Sequence, residues 1–352
     1  MNKERSARST KCESCGDDMI FSPEKGDLVC FSCGKIKHIS RNKNYIKHEF
    51  VQNQSTNEKN ADLEGTERSM KCPNCGAKVI LSDYHISSIC PYCSTDLIID
   101  SEHIGAIKPD AVIPFKFGKE QAQNMFKAKI KKNFFAPRNF KKTLSPNSVQ
   151  AYYFPAFIFD AEGRSIYKGR LYRENTYTDS KGKHHTSRSY FYIDGSYGSV
   201  HTNVEVEASS KLTQEELQWV NPYDFAGAVE YNNNYIFGFS LECNSRSVVE
   251  CQKNAEMLMK EDIKRAILSQ YNYDGISYLD VNTMFLNQKY SYCVLPMYRI
   301  NYTYKNKKYS NVMNGQTGSL GGKTPKAGIK IAATIILPIL IILAFILLIN
   351  FL

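Results

Sequence analysis

Hydrophobic and polar positions follow a helical period in two segments of this chain. In Gly118–Lys132 apolar side chains recur at steps of three and four residues, which predicts an amphipathic helix. The same period returns in Ser247–Ser269 and predicts a second helix. The positions that define these two faces are Ala122, Met125, Phe126, Lys129 and Ile130, and then Val248, Cys251, Ala255, Leu258, Met259, Ile263 and Ile267.

The segments around these helices are rich in aromatic and β-branched residues, which is typical of strands. Polar turns at 180–183 and 305–308 are predicted to close hairpins between neighbouring strands. We therefore expect one α+β domain, residues 106–316, with an antiparallel sheet. The predicted strands are 152–160, 172–178, 189–193, 200–206, 278–286, 290–304 and 309–313.

The C-terminal end has a different pattern, because Ile331–Leu352 contains no charged residue. About 20 apolar residues span a bilayer core as a helix, so residues 331–352 predict a transmembrane helix. A buried core helix is the alternative, although such a helix would show a polar stripe. Lysines in 317–330, a predicted juxtamembrane linker, favour a tail-anchored protein in the cell membrane with the bulk of the chain cytoplasmic.

Near the N-terminus, one cysteine spacing occurs twice. Two Cys-x-x-Cys pairs separated by fourteen residues lie in 12–34 and again in 71–100. Structural zinc sites take four thiolates in a tetrahedron, so each segment predicts a zinc ribbon, and two structural Zn²⁺ ions are expected. Residues 1–11 are predicted to be disordered, and 35–70 a flexible linker. The candidate metal ligands are Cys12, Cys15, Cys30, Cys33, Cys72, Cys75, Cys90 and Cys93.

Two other chemistries fit the same cysteine spacing. Disulfides would suit a secreted protein, and a four-thiolate iron site uses similar turns, so iron stays an alternative to zinc. Of the 11 cysteines, Cys243, Cys251 and Cys293 lie outside the two modules. We expect these three to be small buried hydrophobic residues in a reducing compartment.

The formal net charge of +10 falls to roughly +6 if two four-thiolate zinc sites form. Residues 116–142 contain nine Lys or Arg and one acidic residue, Glu120. This segment predicts either a surface for anionic lipid or nucleic acid, or an ordinary solvated basic face.

No catalytic constellation is evident, so the sequence predicts a protein that is not an enzyme. Gly322-Lys323-Thr324 resembles the end of a phosphate-binding loop, but Thr317 stands where that motif requires glycine. Adjacent His184 and His185 would point to opposite faces of a strand, which disfavours a metal pair there. The other histidines considered, at 38, 48, 85 and 103, are predicted to be solvated.

The layout resembles a family, the transcription-factor-IIB-type zinc-ribbon membrane proteins of low-GC Gram-positive bacteria, often labelled as similar to the PriA helicase. The resemblance implies a zinc-binding membrane protein that works with envelope-stress partners. No motor motif is present, so helicase activity is not carried over, and the additional N-terminal ribbon departs from the single-ribbon pattern. The matching stretches are 72–76, 90–93, 112–115, 153–160, 295–298 and 312–318.

Two functions follow as expectations. The first is a membrane-anchored zinc-ribbon adaptor that binds an unidentified cytosolic protein, because closed four-cysteine sites provide recognition surfaces rather than chemistry. The second is a membrane-tethered nucleic-acid-binding protein, which the basic charge permits.

Overall fold

The computed structural model describes residues 10–51, 68–72, 78–81, 85–89, 96–98, 108–144, 148–180, 182–209, 212–242 and 244–351. The N-terminal part of these ranges contains only short strands. They are β1 (Met19–Ser22), β2 (Asp27–Cys30), β3 (Ile36–Lys37), β4 (His48–Glu49), β5 (Arg68–Lys71), β6 (Lys78–Leu81), β7 (His85–Ile89) and β8 (Asp96–Ile98).

Long strands dominate the rest of the chain, and three of them contain 31, 24 and 30 residues, namely β10, β11 and β14 in the list that follows. The elements are β9 (Ala111–Val112), α1 (Lys119–Lys132), α2 (Arg138–Thr143), β10 (Ser148–Thr178), β11 (His184–Glu207), α3 (Gln214–Val220), β12 (Val229–Glu230), β13 (Ser240–Glu242), α4 (Val248–Leu268), β14 (Gly275–Tyr304), β15 (Lys307–Asn314), β16 (Leu320–Gly322) and α5 (Gly328–Phe351).

The large sheet is organised around β10, which runs antiparallel to β14 on one side and to β11 on the other. Its path is β12-β9-β14-β10-β13-β7-β8, with β11 added beside β10 and with β15 and β4 beside β14. Among the described strands, β10, β11 and β14 alone continue beyond Asp160, and they form a three-stranded extension that we call the arm. Separate small sheets are formed by β1-β2-β3 and by β5-β6.

The predicted α+β class is therefore wrong, because the described structure is mainly antiparallel sheet. The sequence showed strands at 152–160 and 172–178 and nothing between them. In the structure β10 continues through that gap, where Glu162, Arg164 and Lys168 lie on the exposed side of the arm. Charged residues at alternate positions lower the apparent strand propensity, but pairing on both sides keeps the backbone extended.

Helix α4 covers one face of the arm and leaves the other face open. Ser247 and Glu250 form a capping box at its N-terminus, which accounts for its starting point. On its inner side Ile263 and Ile267 pack with Leu171 and with aromatic residues of the arm. The helical period that predicted α4 thus reflects its packing against the sheet.

The predicted transmembrane helix at 331–352, and with it the tail-anchored arrangement, is also corrected. Residues Gly328–Phe351 are helical, but the structure describes their side chains only as far as Leu343. Among the described residues, no helix has the length and the apolar character that crossing a membrane requires.

Residues 35–51, predicted as the start of a flexible linker, make contacts along the edge of the sheet. The backbone N–H of Glu230 donates to the carbonyl oxygen of Asn42, at 2.7 Å. Strand β4 pairs with β14, and His48 Nε2 lies 2.9 Å from a carboxylate oxygen of Asp110. This segment therefore joins the first cysteine module to the central sheet through hydrogen bonds. The pattern of apolar residues in the segment does not predict them.

Candidate metal centre

The first cysteine module consists of two similar turns, each of which presents a Cys-x-x-Cys pair. In one turn the N–H of Gly16 donates to the carbonyl oxygen of Cys12, at 2.8 Å. In the other turn the N–H of Gly34 donates to the carbonyl oxygen of Cys30, also at 2.8 Å. Both glycines have φ of +77°, a left-handed conformation that glycine adopts without a steric penalty. The glycine after each pair is thus required by the backbone of the turn.

The two turns bring four sulfur atoms together. The Sγ atoms of Cys12 and Cys33 are 3.5 Å apart, and those of Cys15 and Cys30 are 3.4 Å apart. All four lie within 4.8 Å of one another. A disulfide needs about 2.05 Å between its sulfur atoms, so none of the four cysteines is bridged, and all are free thiols. Four thiolates about 2.3 Å from one ion would be roughly 3.8 Å apart, so a metal ion fits this donor set.

The electrostatics within the cluster also favour a bound metal ion. Backbone N–H groups of Ser14 and Cys15 lower the pKa of the Cys12 thiol to about 6. The N–H of Asp17 lowers the pKa of Cys15, but hydrogen bonds with the Cys30 and Cys33 sulfurs raise it, with a net result of about 12. One thiolate therefore forms readily while the next is opposed by its neighbours. A bound cation removes that opposition, since its charge is the largest in such a site.

Hydrophobic packing attaches this module to the central sheet. The buried ring of Phe21 makes an edge contact with Tyr235, at 5.3 Å between centroids, and lies 6.3 Å from Phe239. The N–H of Phe21 also donates to the carbonyl oxygen of Phe237, at 3.0 Å. Cys12 and Cys30 belong to the same apolar cluster as these contacts. Through Cys12 and Cys30 the four-cysteine cluster is therefore continuous with the apolar core, while Cys15 and Cys33 are exposed.

Of the second predicted module, the structure describes one ligand. Cys72 is buried, in the apolar cluster that also contains Cys12 and Cys30. The other three predicted ligands, Cys75, Cys90 and Cys93, lie outside the described residues, as does Cys243. The second site therefore stays a prediction.

The described cysteines outside the modules are both buried, Cys251 on the inner side of α4 and Cys293 in β14. Burial raises the pKa of the Cys251 thiol to about 12, and burial also raises the pKa of Cys293 above its usual range. A thiol held neutral in this way is a poor nucleophile. His184 and His185 have different partners, Thr178 Oγ1 and Asp179 Oδ2, each at 2.9 Å.

The open face of the arm is a feature that the sequence did not reveal. It carries Ile166 from β10, Tyr192 and Val200 from β11, and Met284 from β14, and these side chains are between 65% and 76% exposed. Cross-strand register explains the grouping, because residue 164 of β10 lies opposite residue 284 of β14 and residue 162 lies opposite residue 200 of β11. The only sequence signal was the alternation of polar and apolar residues along each strand.

Comparison with known proteins finds a relative along most of the chain. A protein of Bacillus subtilis (strain 168) named "Uncharacterized protein YdjG" is 27% identical over 332 residues, which cover 92% of each chain. No family model matches, and no solved structure matches.

Proposed function

We propose that this chain is an adaptor that binds another protein through the open face of the arm, while structural zinc holds its N-terminal module. The observation that carries the proposal is the group of large apolar side chains exposed on this face, among them Ile166, Tyr192 and Met284. Single exposed apolar side chains are ordinary, whereas several large ones grouped on one sheet face are typical of an interaction site. Hydrogen-bonded pairing on both sides of β10 keeps this face rigid, which limits the ordering entropy that binding would cost.

Charges on the open face are balanced, and this favours a protein partner. Lys168 Nζ lies 3.9 Å from Asp280 Oδ2, and Arg188 Nε lies 2.9 Å from Glu174 Oε1. A nucleic-acid surface would require an excess of positive charge to neutralise phosphates. Apolar and aromatic groups interleaved with paired charges suit the surface of another protein better than a phosphate backbone.

Zinc is the metal we propose for the four-cysteine site. The donor set is closed, with four sulfur ligands and no position left for water or substrate. Such a site contributes folding energy to its module. Because the module packs on the sheet through Phe21, that energy would also stabilise the attachment of the module to the sheet. The predicted similarity to transcription-factor-IIB-type zinc-ribbon proteins agrees with this role and is part of the proposal.

Site-specific photocrosslinking in cells tests the adaptor function. A photoreactive residue is placed at Tyr192 or Met284 on the open face and, as a control, at Met257, which is exposed on α4. We expect one common protein to be captured from the two open-face positions and not from position 257. Substitution Ile166→Asp should abolish capture of that protein from position 192, since it replaces one of the exposed apolar side chains by a charge.

Several outcomes would contradict the proposal. Equal capture of the same protein from position 257 would show that the surface of the arm is not selective. Undiminished capture by Ile166→Asp, with the variant folded by circular dichroism, would show that the exposed apolar side chain of Ile166 does not contribute. Equal capture from position 192 in Ile166→Asp and in the matched α4 variant Met257→Asp would likewise show that the side chain of Ile166 does not contribute.

Nucleic-acid binding is a second candidate, favoured by aromatic and arginine side chains on the same face. The Arg170 guanidinium lies 4.2 Å from the centroid of the Tyr190 ring, and the Tyr172 and Tyr190 rings are 5.6 Å apart. Aromatic platforms next to arginine bind single-stranded bases. Oligonucleotide binding that weakens steeply with salt and is lost in Tyr190→Ala would support this candidate over the first.

A further inference from the structure

The turn between α1 and α2 exposes two adjacent aromatic rings. Phe134 is 61% exposed and Phe135 is 39% exposed, and their centroids are 5.4 Å apart in an edge-to-face arrangement. The side chain of Asn133 fixes the turn by accepting a hydrogen bond from the N–H of Phe135, at 3.0 Å. Ala136 directly after the rings is buried, so the turn is anchored at its base while its apolar tip faces outward.

The first turn of α5 and the residue before it hold this tip in place. Lys330 Nζ donates to the carbonyl oxygens of Phe134 and Ala136, at 2.7 and 2.9 Å. The N–H of Ala327 donates to the carbonyl oxygen of Phe135, at 2.8 Å. Two exposed phenylalanines are therefore presented by a hydrogen-bonded support and not by a loose loop.

Positive charge surrounds the tip. Lys131, Lys132, Arg138 and Lys142 are exposed, and no ion pair among the described residues involves any of them. The single acidic residue of this region, Glu120, lies in the first turn of α1, far from its C-terminal end. Desolvation and the nearby charges of Lys141 and Arg138 lower the pKa of Lys330, which agrees with a concentrated positive field at this end of the molecule.

We propose that this tip, Phe134 and Phe135 with the surrounding basic residues, binds the anionic headgroup surface of a lipid membrane. Phenylalanine rings enter the boundary between headgroups and acyl chains, while lysine and arginine side chains interact with anionic headgroups. The edge-to-face contact closes the space between the two rings that an inserted base would occupy. Ile329, 86% exposed beside the tip, adds a further apolar side chain.

A local fluorescence probe tests the proposal in the full-length purified chain. The single tryptophan is first removed by Trp219→Phe, and a reporter is then introduced by Phe134→Trp. Vesicles of phosphatidylcholine that contain about 30 mol% phosphatidylserine should shift the tryptophan emission to shorter wavelength. Brominated acyl chains in the same vesicles should quench that emission. The control reporter is Phe31→Trp, at a ring that is 72% exposed on the first cysteine module, and it should not respond.

Charge variants then separate headgroup recognition from simple apolar binding. Each lysine near an anionic surface contributes roughly a fivefold factor, so Lys131→Glu with Lys132→Glu should weaken vesicle binding by at least about tenfold. The matched control, Lys43→Glu with Lys253→Glu, changes the net charge equally at exposed positions elsewhere and should bind as the parent does. Pure phosphatidylcholine vesicles report any apolar binding by other surfaces, including α5.

Three results would overturn the proposal. The first is an equal response of the position-134 reporter to neutral and to anionic vesicles. The second is equal weakening by the two charge-reversed pairs. The third is a position-134 reporter that responds to a single-stranded oligonucleotide more tightly than to anionic vesicles, which would assign the tip to nucleic acid. The crosslinking test of the arm is independent of all three, because it uses a different surface.

Discussion

The side-chain amide of Asn314 donates to the carbonyl oxygen of Val220, at 2.9 Å, across 94 positions of the chain. Its oxygen accepts hydrogen bonds from the N–H groups of Gln316 and Thr317, at 2.8 and 2.9 Å. Gln316 in turn exchanges two hydrogen bonds with the backbone of Asp224. The stretch from Asn314 to Gly318 thus joins the end of β15 to the loop after α3.

Removing the Asn314 side chain should destabilise the sheet strongly. Asn314→Ala leaves buried N–H and C=O groups without partners, and we expect a loss of about 3 kcal/mol in the free energy of unfolding, measured by urea denaturation. The control Asn124→Ala, at an exposed position of α1, should change that free energy by less than about 0.5 kcal/mol. Equal stability of the two variants would contradict a structural role for this stretch.

Replacing one cysteine of the first module should release one metal ion per chain. In Cys30→Ser the closed sulfur set loses a ligand, and elemental analysis should show one equivalent less zinc than in the parent protein. Cys251→Ser, at a buried thiol outside the module, should retain the parent metal content even if it is less stable. Unchanged metal in Cys30→Ser would rule out the four-cysteine site.

Truncating Phe21 should detach the metal module from the sheet without emptying it. We expect Phe21→Ala to lose about 3 kcal/mol in the free energy of unfolding, because it removes a buried ring from contacts with Tyr235 and Phe239. Cleavage by protease within residues 35–51 should become faster, while the zinc content stays constant. Phe31→Ala, at an exposed ring of the same module, should behave like the parent protein.

The stability of the protein should depend on pH through Glu205. Burial of this carboxyl raises its pKa from 4.5 to about 7, although the N–H of Tyr223 acts in the opposite direction. The folded protein therefore holds a proton that the unfolded chain releases, so folding is disfavoured progressively as pH rises from about 4.5 to 7. The difference corresponds to about 3 kcal/mol once both states are ionised.

Glu205→Gln removes this titration. The variant should be more stable than the parent by up to about 3 kcal/mol at pH 8, and the advantage should shrink towards pH 5 in urea denaturation. Glu49→Gln, at an exposed position of β4, should show no such pH dependence relative to the parent. A constant difference between Glu205→Gln and the parent at all pH values would contradict the raised pKa.

Local patterns were sufficient where a structure depends on near neighbours. The helical period indicated Gly118–Lys132 and Ser247–Ser269, and the structure has helices at Lys119–Lys132 and Val248–Leu268. The cysteine spacing indicated the four-sulfur cluster, because each Cys-x-x-Cys-Gly turn closes through a hydrogen bond within five residues. Structures that are closed by hydrogen bonds between near neighbours can be predicted from the local sequence.

The pairing of strands that are distant in the chain could not be predicted from local patterns. Strand β10 continues through a charged stretch that no propensity marks, since its backbone is held by β11 and β14 from distant parts of the chain. Hydrophobicity alone likewise suggested a membrane span at 331–352, whereas no helix of the described structure meets the requirements of one. The support of the Phe134 tip by Lys330 joins residues 196 positions apart.

The sequence by itself determined the two helices, the turns that carry the cysteines and the identity of the first four candidate ligands. Tertiary structure alone decided which residues form the open face, where the metal module packs and how Asn314 is used. The physical reason is that a turn or a helix is closed by hydrogen bonds to near neighbours, while an antiparallel strand acquires its partners, and hence its exposed side, only from segments that are distant in the chain.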